Sequence, residues 1–190
     1  ALTMAEIGGE TLTDWDVLGF CFVIVAGGND TTGNLISHTA ALLDRHPDQR
    51  AMLVADPALI PGALTECLRF ESSVQALART TTREVTIEGV TIPAGEKVLM
   101  LYGSANRDER RYGPTAGDLN ILREDTGHLA FSRGPHFCIG SHFARLQARL
   151  AVEELYAHPR LGVDHDHAVR ALSPFTRGVT RLPATGLTAV

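Results

Sequence analysis

The sequence has few cysteines, a single lysine and no long apolar run. Its three cysteines, Cys21, Cys67 and Cys138, are an odd number and too widely spaced for the disulfide framework of a small secreted domain. The longest apolar stretch, residues 17–26, is well short of the roughly 20 residues that a membrane-spanning helix needs. These features favour a cytoplasmic protein with no membrane partner and with thiol chemistry at one cysteine.

The charge balance excludes a further class of protein. The net charge is −5 at pH 7, whereas a nucleic-acid-binding protein needs a basic face that displaces counterions. No nucleic-acid partner is therefore expected. The contents of 44% hydrophobic and 21% charged residues are typical of an ordinary globular domain. The first 13 residues have neither the basic start nor the apolar run of a signal peptide.

Apolar periodicity and turn residues predict a mostly α fold with a minor β part, an α+β arrangement. One long helix is expected from Asp14 to about His46. Its first half is apolar nearly all round, which implies burial in a body larger than this chain. The other predicted elements are helices opening at Pro47 and Pro61, an antiparallel β meander over 79–101, an ordered coil over 106–123, a helix over 140–158 and short strands over 161–190.

The most specific segment is FSRGPHFCIG, residues 131–140. Cys138 stands just before the last predicted helix, where free backbone N–H groups favour a thiolate. Gly134 and Gly140 allow the loop to turn tightly and bring its backbone close to a flat cofactor. The surroundings of Cys21 and Cys67 predict only core packing.

A second unusual segment, AGGNDTT at residues 26–32, lies in the middle of the long helix. Gly27 and Gly28 each weaken a helix by roughly 1 kcal/mol relative to alanine, so a reason for them is expected. A local widening would make room for a small ligand, which the Thr31 hydroxyl could then face. Close helix packing at the glycines is the alternative.

Two further patterns admit more than one explanation. Glu66 and Arg69 share a helix face and predict an ion pair, although such a pair at a surface stabilises little. Zinc is a conceivable use of His128, His136, Cys138 and His142. However, the sequence has no C-x-x-C or H-x-x-x-H pair, and zinc would leave Phe131 and the glycines unexplained.

Together these segments resemble the cytochrome P450 family. Residues 131–140 match its cysteine-loop pattern F-x-x-G-x-H-x-C-x-G at all five fixed positions, and residues 27–32 match its oxygen-binding pattern A/G-G-x-D/E-T-T. Glu66 and Arg69 match its E-x-x-R pair, and the motifs stand in the family's order. The resemblance implies the C-terminal half of the P450 fold. Residues 1–190 are then expected to be the haem-binding part of a P450 domain, with the N-terminal half absent from this chain.

The resemblance implies haem b as cofactor, with Cys138 as the axial thiolate ligand of the iron. It assigns Asp30 and Thr31 as a proton-delivery pair. The other residues that it places at the cofactor are His136 and Arg79 near the propionates, Phe131 beside the sulfur, and Gly134, Gly140 and Gly27. The structural trio that it implies is Glu66, Arg69 and Arg123, and the expected substrate-pocket residues are Gly28, Val74, Gln75 and Phe175.

The function that the resemblance implies is monooxygenation of a small apolar organic substrate, with NAD(P)H electrons delivered by a ferredoxin or flavodoxin. A peroxygenase or isomerase with the same haem thiolate, and a non-enzymatic haem-binding fragment, remain alternatives. Arg145 and Arg149 lie one turn apart beyond the cysteine. They are expected either to face solvent or to contact an acidic electron donor.

Overall fold

The computed structural model describes residues 2–124 and 127–187, with six α-helices and ten short strands. The helices are α1 Asp14–Arg45, α2 Pro47–Ala55, α3 Ile60–Phe70, α4 Tyr102–Ala105, α5 Glu109–Tyr112 and α6 Ser141–Tyr156. The strands are β1 Glu6–Ile7, β2 Glu10–Thr11, β3 Ala76–Thr80, β4 Val85–Ile87, β5 Val90–Ile92, β6 Lys97–Leu101, β7 Gly162–Val163, β8 Val169–Arg170, β9 Val179–Arg181 and β10 Ala184–Thr185. The predicted mostly α fold with a minor β part is confirmed.

The long helix α1 begins and ends where local chemistry predicts. Thr13 caps its N-terminus by accepting from the Asp16 N–H at 3.2 Å, and the Asp16 carboxylate accepts from the Thr13 N–H at 3.0 Å. The hydrogen bonds from Thr13 lower the pKa of Asp16. The helix ends at Arg45, just before Pro47, because proline has no N–H to continue the hydrogen-bond ladder.

The core lies where the second half of α1 meets α3 and α6. Leu43 of α1, Leu64 of α3 and Val152 of α6 are almost completely buried there. The apolar positions of α3 fall on one face and direct that face inward. The core therefore assembles helices that are far apart in the sequence.

The first half of α1 is exposed along its apolar side chains. Trp15, Phe22 and Val25 are 83%, 73% and 69% exposed, whereas Leu35 and Leu43, further along the same helix, are 2% and 0% exposed. Cys21 is also exposed, so the prediction that it packs in a core is wrong for this chain. The reason is that no other described element covers this half of α1, while Cys67 in α3 is fully buried as predicted.

The strands form five separate antiparallel pairs. The predicted meander is instead two nested pairs, because β3 pairs with β6 and the β4–β5 hairpin lies between them in sequence. The hairpin turn uses Glu88 and Gly89, both at positive φ (49° and 80°), which suits a two-residue turn. The predicted tail strands are present as the pairs β7–β10 and β8–β9.

Two further expectations need correction. The coil predicted over 106–123 contains the single-turn helix α5. The local widening expected at Gly27 is not present, because α1 runs as continuous α-helix through this segment.

Within residues 2–124 and 127–187, no single helix is long and apolar enough to cross a membrane. The segments Pro47–Ala55 and Pro57–Phe70 pass the same test only together, and they are bent by 112° relative to each other.

Candidate functional site

The cysteine loop, defined here as residues 127–140, leads directly into α6. The Cys138 N–H donates to the Phe131 carbonyl at 2.9 Å, which closes the loop. Ser132 and Gly134 take left-handed backbone conformations with φ of 61° and 70°. Glycine is the residue best suited to that conformation, so Gly134 serves the tight turn that the sequence predicted.

Cys138 is partly buried against the core, and no described residue forms a hydrogen bond to its Sγ. The N-cap of α6 is Gly140, which offers no side-chain cap to the first-turn N–H groups. Uncapped N–H groups at a helix N-terminus stabilise a neighbouring negative charge. Phe131 is 9% exposed, and its ring makes an edge contact with Phe137 at 6.3 Å between centroids. The sulfur is therefore backed by aromatic groups and left free for a ligand.

Behind this loop lies a buried ion pair between Glu66 and Arg69. Arg69 is 0% exposed, and its Nε and Nη2 donate to the two Glu66 carboxylate oxygens at 2.7 Å each. Its remaining N–H groups donate to the carbonyls of Asn106, Ala116 and Asp118 at 2.8–2.9 Å. All five guanidinium donors are thus satisfied, as a buried charge requires.

Arg123 joins this pair, as the sequence predicted. Its Nε donates to Glu66 Oε1 at 3.3 Å, and the backbone N–H of Asn120 donates to the same oxygen at 2.9 Å. Because Glu66 accepts from the Asn120 N–H and from Arg123, while Arg69 donates to three backbone carbonyls of the coil over 106–123, the three side chains brace that coil. Their role as a structural trio stays a prediction.

Asn106 connects the ion pair to the cysteine loop, and the sequence did not predict this role. Its Nδ2 donates to Ser72 Oγ at 2.8 Å, while its Oδ1 accepts from the Leu129 N–H at 2.7 Å. Tyr102 adds a second connection, with its hydroxyl 3.3 Å from Ser132 Oγ. Only the fold shows which atoms Asn106 joins.

The oxygen-helix residues lie on the open part of α1. A Cβ added at Gly27 or Gly28 would meet no atom of the described residues within 4 Å, so these residues supply no close helix packing there. The Thr31 hydroxyl donates back to the Gly27 carbonyl at 2.6 Å rather than facing outward. Asp30 is exposed, and no described residue bonds its carboxylate. The roles of Asp30 and Thr31 in proton delivery stay predictions.

Three of the four expected substrate-pocket residues come together. Val74 bridges to Thr176 across the chain, and the Gln75 N–H donates to the Phe175 carbonyl at 2.7 Å. Ser73 donates to the Thr31 carbonyl at 3.0 Å, which brings α1 against this segment. Gly28, the fourth residue, lies one turn before Thr31 on α1. The fold therefore gathers the expected pocket residues at α1 and the turn over 173–177.

Charged groups hold that turn in place. The Glu71 carboxylate forms ion pairs with Arg177 and with Arg107, the latter at 3.2 Å. The Glu71 carbonyl contacts Nδ1 of His38 at 3.0 Å, and burial lowers the pKa of His38. The Nε2 of His38 is buried and has no hydrogen-bond partner among the described residues.

Arg79 and His136 are available for an anionic ligand. Arg79 lies on β3, and Nη1 donates only to the Ala78 carbonyl at 3.0 Å. His136 is exposed in the cysteine loop. Neither side chain is paired with a carboxylate of a described residue, which leaves both free to meet carboxylates of a cofactor.

Arg145 and Arg149 behave differently from each other. Arg145 turns inward, donating from Nη1 to Thr65 Oγ1 at 2.6 Å, and it lies over the Phe131 ring at 5.2 Å. For Arg145, the expectation of a solvent-facing side chain is therefore wrong, because the side chain is used in packing, whereas its contact with an electron donor stays a prediction. Arg149 is exposed and pairs with Glu153 at 2.6 Å, as a solvated face predicts.

The zinc alternative finds no support in the geometry. Among residues 2–124 and 127–187, no three His, Cys, Asp or Glu side chains converge closely enough to hold a metal ion. His128 is turned toward Arg145 and the Ala130 N–H, while His136 and His142 are exposed.

Cys138 thus stands just before the uncapped N-terminus of α6, and a buried Glu–Arg pair lies close to its loop. The family model for cytochrome P450 matches residues 54–186. The chain belongs to the cytochrome P450 family.

Curated relatives agree with this assignment. The chain is 51% identical over 158 residues to cytochrome P450 130 of Mycobacterium tuberculosis, covering 82% of this chain and 39% of that protein. It is 40% identical to the vitamin D(3) 25-hydroxylase of Pseudonocardia autotrophica, covering 97% of this chain and 46% of that protein. The chain thus spans less than half the length of these relatives.

Solved structures agree as well. The complex of CYP109E1 from Bacillus megaterium with corticosterone superposes with a TM-score of 0.91 at 34% identity, covering 97% of this chain and 50% of that chain. CYP109Q5 from Chondromyces apiculatus gives a TM-score of 0.90 at 39% identity, covering 99% and 49%.

Members of this family bind haem b. The residues present here fit that cofactor on three observations of the structure. The Cys138 sulfur is free at an uncapped helix N-terminus, Arg79 and His136 lack carboxylate partners, and the apolar side chains of Phe137 and Ile139 flanking Cys138 are 51% and 71% exposed. Together they offer a ligand, cationic groups and apolar surface, the three features that a haem requires.

Proposed function

We propose that this chain is the oxygen-activating, haem-thiolate part of a monooxygenase that inserts one oxygen atom into a small apolar organic substrate. The single observation that carries the proposal is Cys138, free at the uncapped N-terminus of α6 and braced through Phe131. Ligation by a cysteine thiolate directs electron density toward the iron and favours cleavage of the O–O bond.

The residues of this chain would divide the remaining tasks. Cys138 would ligate the iron, and Phe131 would exclude water from the sulfur. Arg79 and His136 would hold the propionates, for which the planar fork of arginine is well suited. Gly27, Gly134 and Gly140 would let the backbone approach the cofactor closely.

Proton delivery would fall to Asp30 and Thr31 on α1. Asp30 is exposed and unpaired among the described residues, so its carboxylate is free to exchange protons with solvent. The Thr31 hydroxyl donates to the Gly27 carbonyl in this structure. Because a hydroxyl also accepts, it could receive a hydrogen bond from a ligand without breaking that contact. Positioned proton transfer of this kind contributes a factor of roughly 10² to 10⁴ to a rate.

The substrate would lie against Gly28, Val74, Gln75 and Phe175. The relatives named as a vitamin D(3) hydroxylase and as the monooxygenase PikC of Streptomyces venezuelae support the reaction class. The corticosterone in the complex of CYP109E1 supports an apolar organic substrate. Electrons would come from NAD(P)H through a ferredoxin or flavodoxin.

We also propose that residues 1–190 act within a longer P450 domain, as its C-terminal haem-binding part. The exposed apolar side chains of Trp15, Phe22 and Val25 support this, since large apolar side chains on a soluble surface mark a contact region. The cytoplasmic location stays a prediction.

The test is the absorbance spectrum of the purified protein, expressed from its complete gene, reduced with dithionite and exposed to carbon monoxide. A strongly red-shifted Soret band is expected in the wild type and not in Cys138→Ala. Cys21→Ala, which changes the exposed cysteine of α1, serves as the matched control and should keep the band. A wild-type protein that binds haem without this band would overturn the proposal.

The peroxygenase and isomerase alternatives are separated by the source of oxidant. Turnover that requires a reductase and oxygen is the expected result. Turnover that proceeds with hydrogen peroxide alone, and is unchanged in Asp30→Asn, would favour the peroxygenase alternative, because that chemistry needs no relay of protons to dioxygen.

A further inference from the structure

Arg145 makes polar contacts with two elements besides its own helix. It lies on α6, seven residues after Cys138, and is partly buried. Its Nη1 donates to Thr65 Oγ1 of α3 at 2.6 Å, and its Nη2 is 3.2 Å from Nε2 of His128 at the start of the cysteine loop. One guanidinium therefore ties α3, α6 and the cysteine loop together.

The same guanidinium lies over the aromatic ring behind the sulfur. The Cζ of Arg145 is 5.2 Å from the centroid of Phe131, which is within the range of a cation–π contact. His128 also packs against Phe131, with 5.7 Å between the two ring centroids. Phe131 in turn accepts the N–H of Cys138 at its carbonyl. A movement of Arg145 would therefore be transmitted to Cys138 through a single residue, Phe131.

The contact between His128 and Arg145 requires a neutral imidazole. Burial and the neighbouring positive charge of Arg145 lower the pKa of His128 to about 4. A neutral histidine has one acceptor nitrogen, yet two donors face its ring, the Ala130 N–H at 3.1 Å and Arg145. The imidazole can satisfy only one of them at a time, so Thr65 and Phe131 are needed to hold Arg145 in place.

We propose that Arg145 is a positioning residue for the haem thiolate, acting through Phe131 and His128 to hold the cysteine loop in its ligating geometry. This inference rests on the proposed function. It assigns Arg145 a role inside the protein rather than on a surface for an electron donor. Arg149, one turn further along α6, has no such contacts and pairs with Glu153 at the surface.

The experiment compares Arg145→Gln and the milder Arg145→Lys with the matched control Arg149→Gln, in the haem-loaded protein expressed from its complete gene. Lysine keeps the charge but has neither the planar fork nor the stacking face of arginine. The first readout is the half-life of the red-shifted Soret band of the reduced carbon monoxide complex during mild warming. The second is the far-ultraviolet circular dichroism recorded at the same temperatures.

Loss of an outer partner of a metal ligand typically costs about 10-fold to 100-fold in affinity or activity. We expect Arg145→Gln to shorten the half-life of the thiolate band about 10-fold while the circular dichroism is retained. Arg145→Lys should fall in between, and Arg149→Gln should match the wild type. Thr65→Val, which removes only the hydroxyl that accepts from Arg145, should shift the half-life in the same direction as Arg145→Lys.

Three results would overturn the inference. One is an unchanged half-life in Arg145→Gln. Another is loss of the Soret band and of the circular dichroism at the same rate, which would indicate a merely structural role. The third is an unchanged half-life of the band with a raised KM for the electron donor, which would indicate that Arg145 contacts the donor. A wild-type protein without the thiolate band would instead overturn the proposed function, so the two failures are distinguishable.

Discussion

The two halves of α1 have opposite environments, and the more apolar first half is the exposed one. Leu35 and Leu43 are 2% and 0% exposed against α3 and α6, whereas Phe22 and Val25 are 73% and 69% exposed. The same contrast holds for charged groups, since the Glu66–Arg69 pair is fully buried and the Arg149–Glu153 pair lies at the surface. An apolar or charged side chain thus has no fixed energetic value, because its surroundings determine whether it stabilises this chain.

The largest effect is expected from breaking the buried ion pair. Arg69→Leu leaves three backbone carbonyls without the Arg69 donor and removes both hydrogen bonds from Arg69 to the buried Glu66 carboxylate. The free energy of unfolding of the 190-residue chain should fall by about 3–5 kcal/mol. Urea titration followed by circular dichroism measures it. The surface counterpart Arg149→Leu should change the free energy of unfolding by no more than about 0.5 kcal/mol. Equal losses in the two variants would contradict the difference between the buried and the surface ion pair.

The next effect tests the two halves of α1 directly. Leu43→Ala removes a side chain that is 0% exposed and should cost about 2–5 kcal/mol of unfolding free energy through lost burial and a cavity. Phe22→Ala, on the same helix, removes a side chain that is 73% exposed and should stay within about 0.5 kcal/mol. The same urea titration compares them. A cost for Phe22→Ala as large as that for Leu43→Ala would mean that the first half of α1 is packed in solution.

The smallest effect concerns acid. Because the pKa of His128 in the folded chain is lowered to about 4, below its ordinary value of 6.5, the unfolded chain binds a proton there that the folded chain does not. Stability is therefore lost as the pH falls from about 6.5 to about 4 and then levels off. The loss is on the order of 3 kcal/mol. His38, whose pKa is also lowered, contributes in the same direction.

Urea titrations at several pH values check this expectation. His128→Asn should flatten the dependence in that window, while the exposed counterpart His142→Asn should leave it unchanged. An undiminished slope in His128→Asn would show that other groups cause the acid sensitivity.

Much of the local structure could be predicted from the sequence because its causes lie within a few residues. Thr13 and Pro47 mark the ends of α1, and Glu88 with Gly89 marks the hairpin turn. The cysteine loop was recognisable for the same reason, since the spacing of Phe131, Gly134 and Cys138 lies within one short segment. Glu66 and Arg69 are three residues apart on one helix, so their contact also follows from local geometry.

Two expectations failed, the first for a local reason and the second because the outcome depended on distant groups. The glycines of α1 predicted a widening, but the Thr31 hydroxyl donates to the Gly27 carbonyl and the helix stays regular. The predicted β meander is instead a set of nested strand pairs, because β3 pairs with β6 and the hairpin lies between them in the sequence. Pairing of strands depends on which edges meet, which alternating apolar residues do not specify.

The sequence by itself determined the family, the helix ends and the identity of the ligand loop, because each depends on residues that are close together in the chain. The tertiary structure alone decided that Arg145 turns inward and that Asn106 joins the ion pair to the cysteine loop. The partners of Arg145 lie 17 and 80 residues away, and Asn106 contacts residues 23 and 34 away. Hydrogen bonds act over about 3 Å, so these contacts exist only once folding has brought the distant segments together.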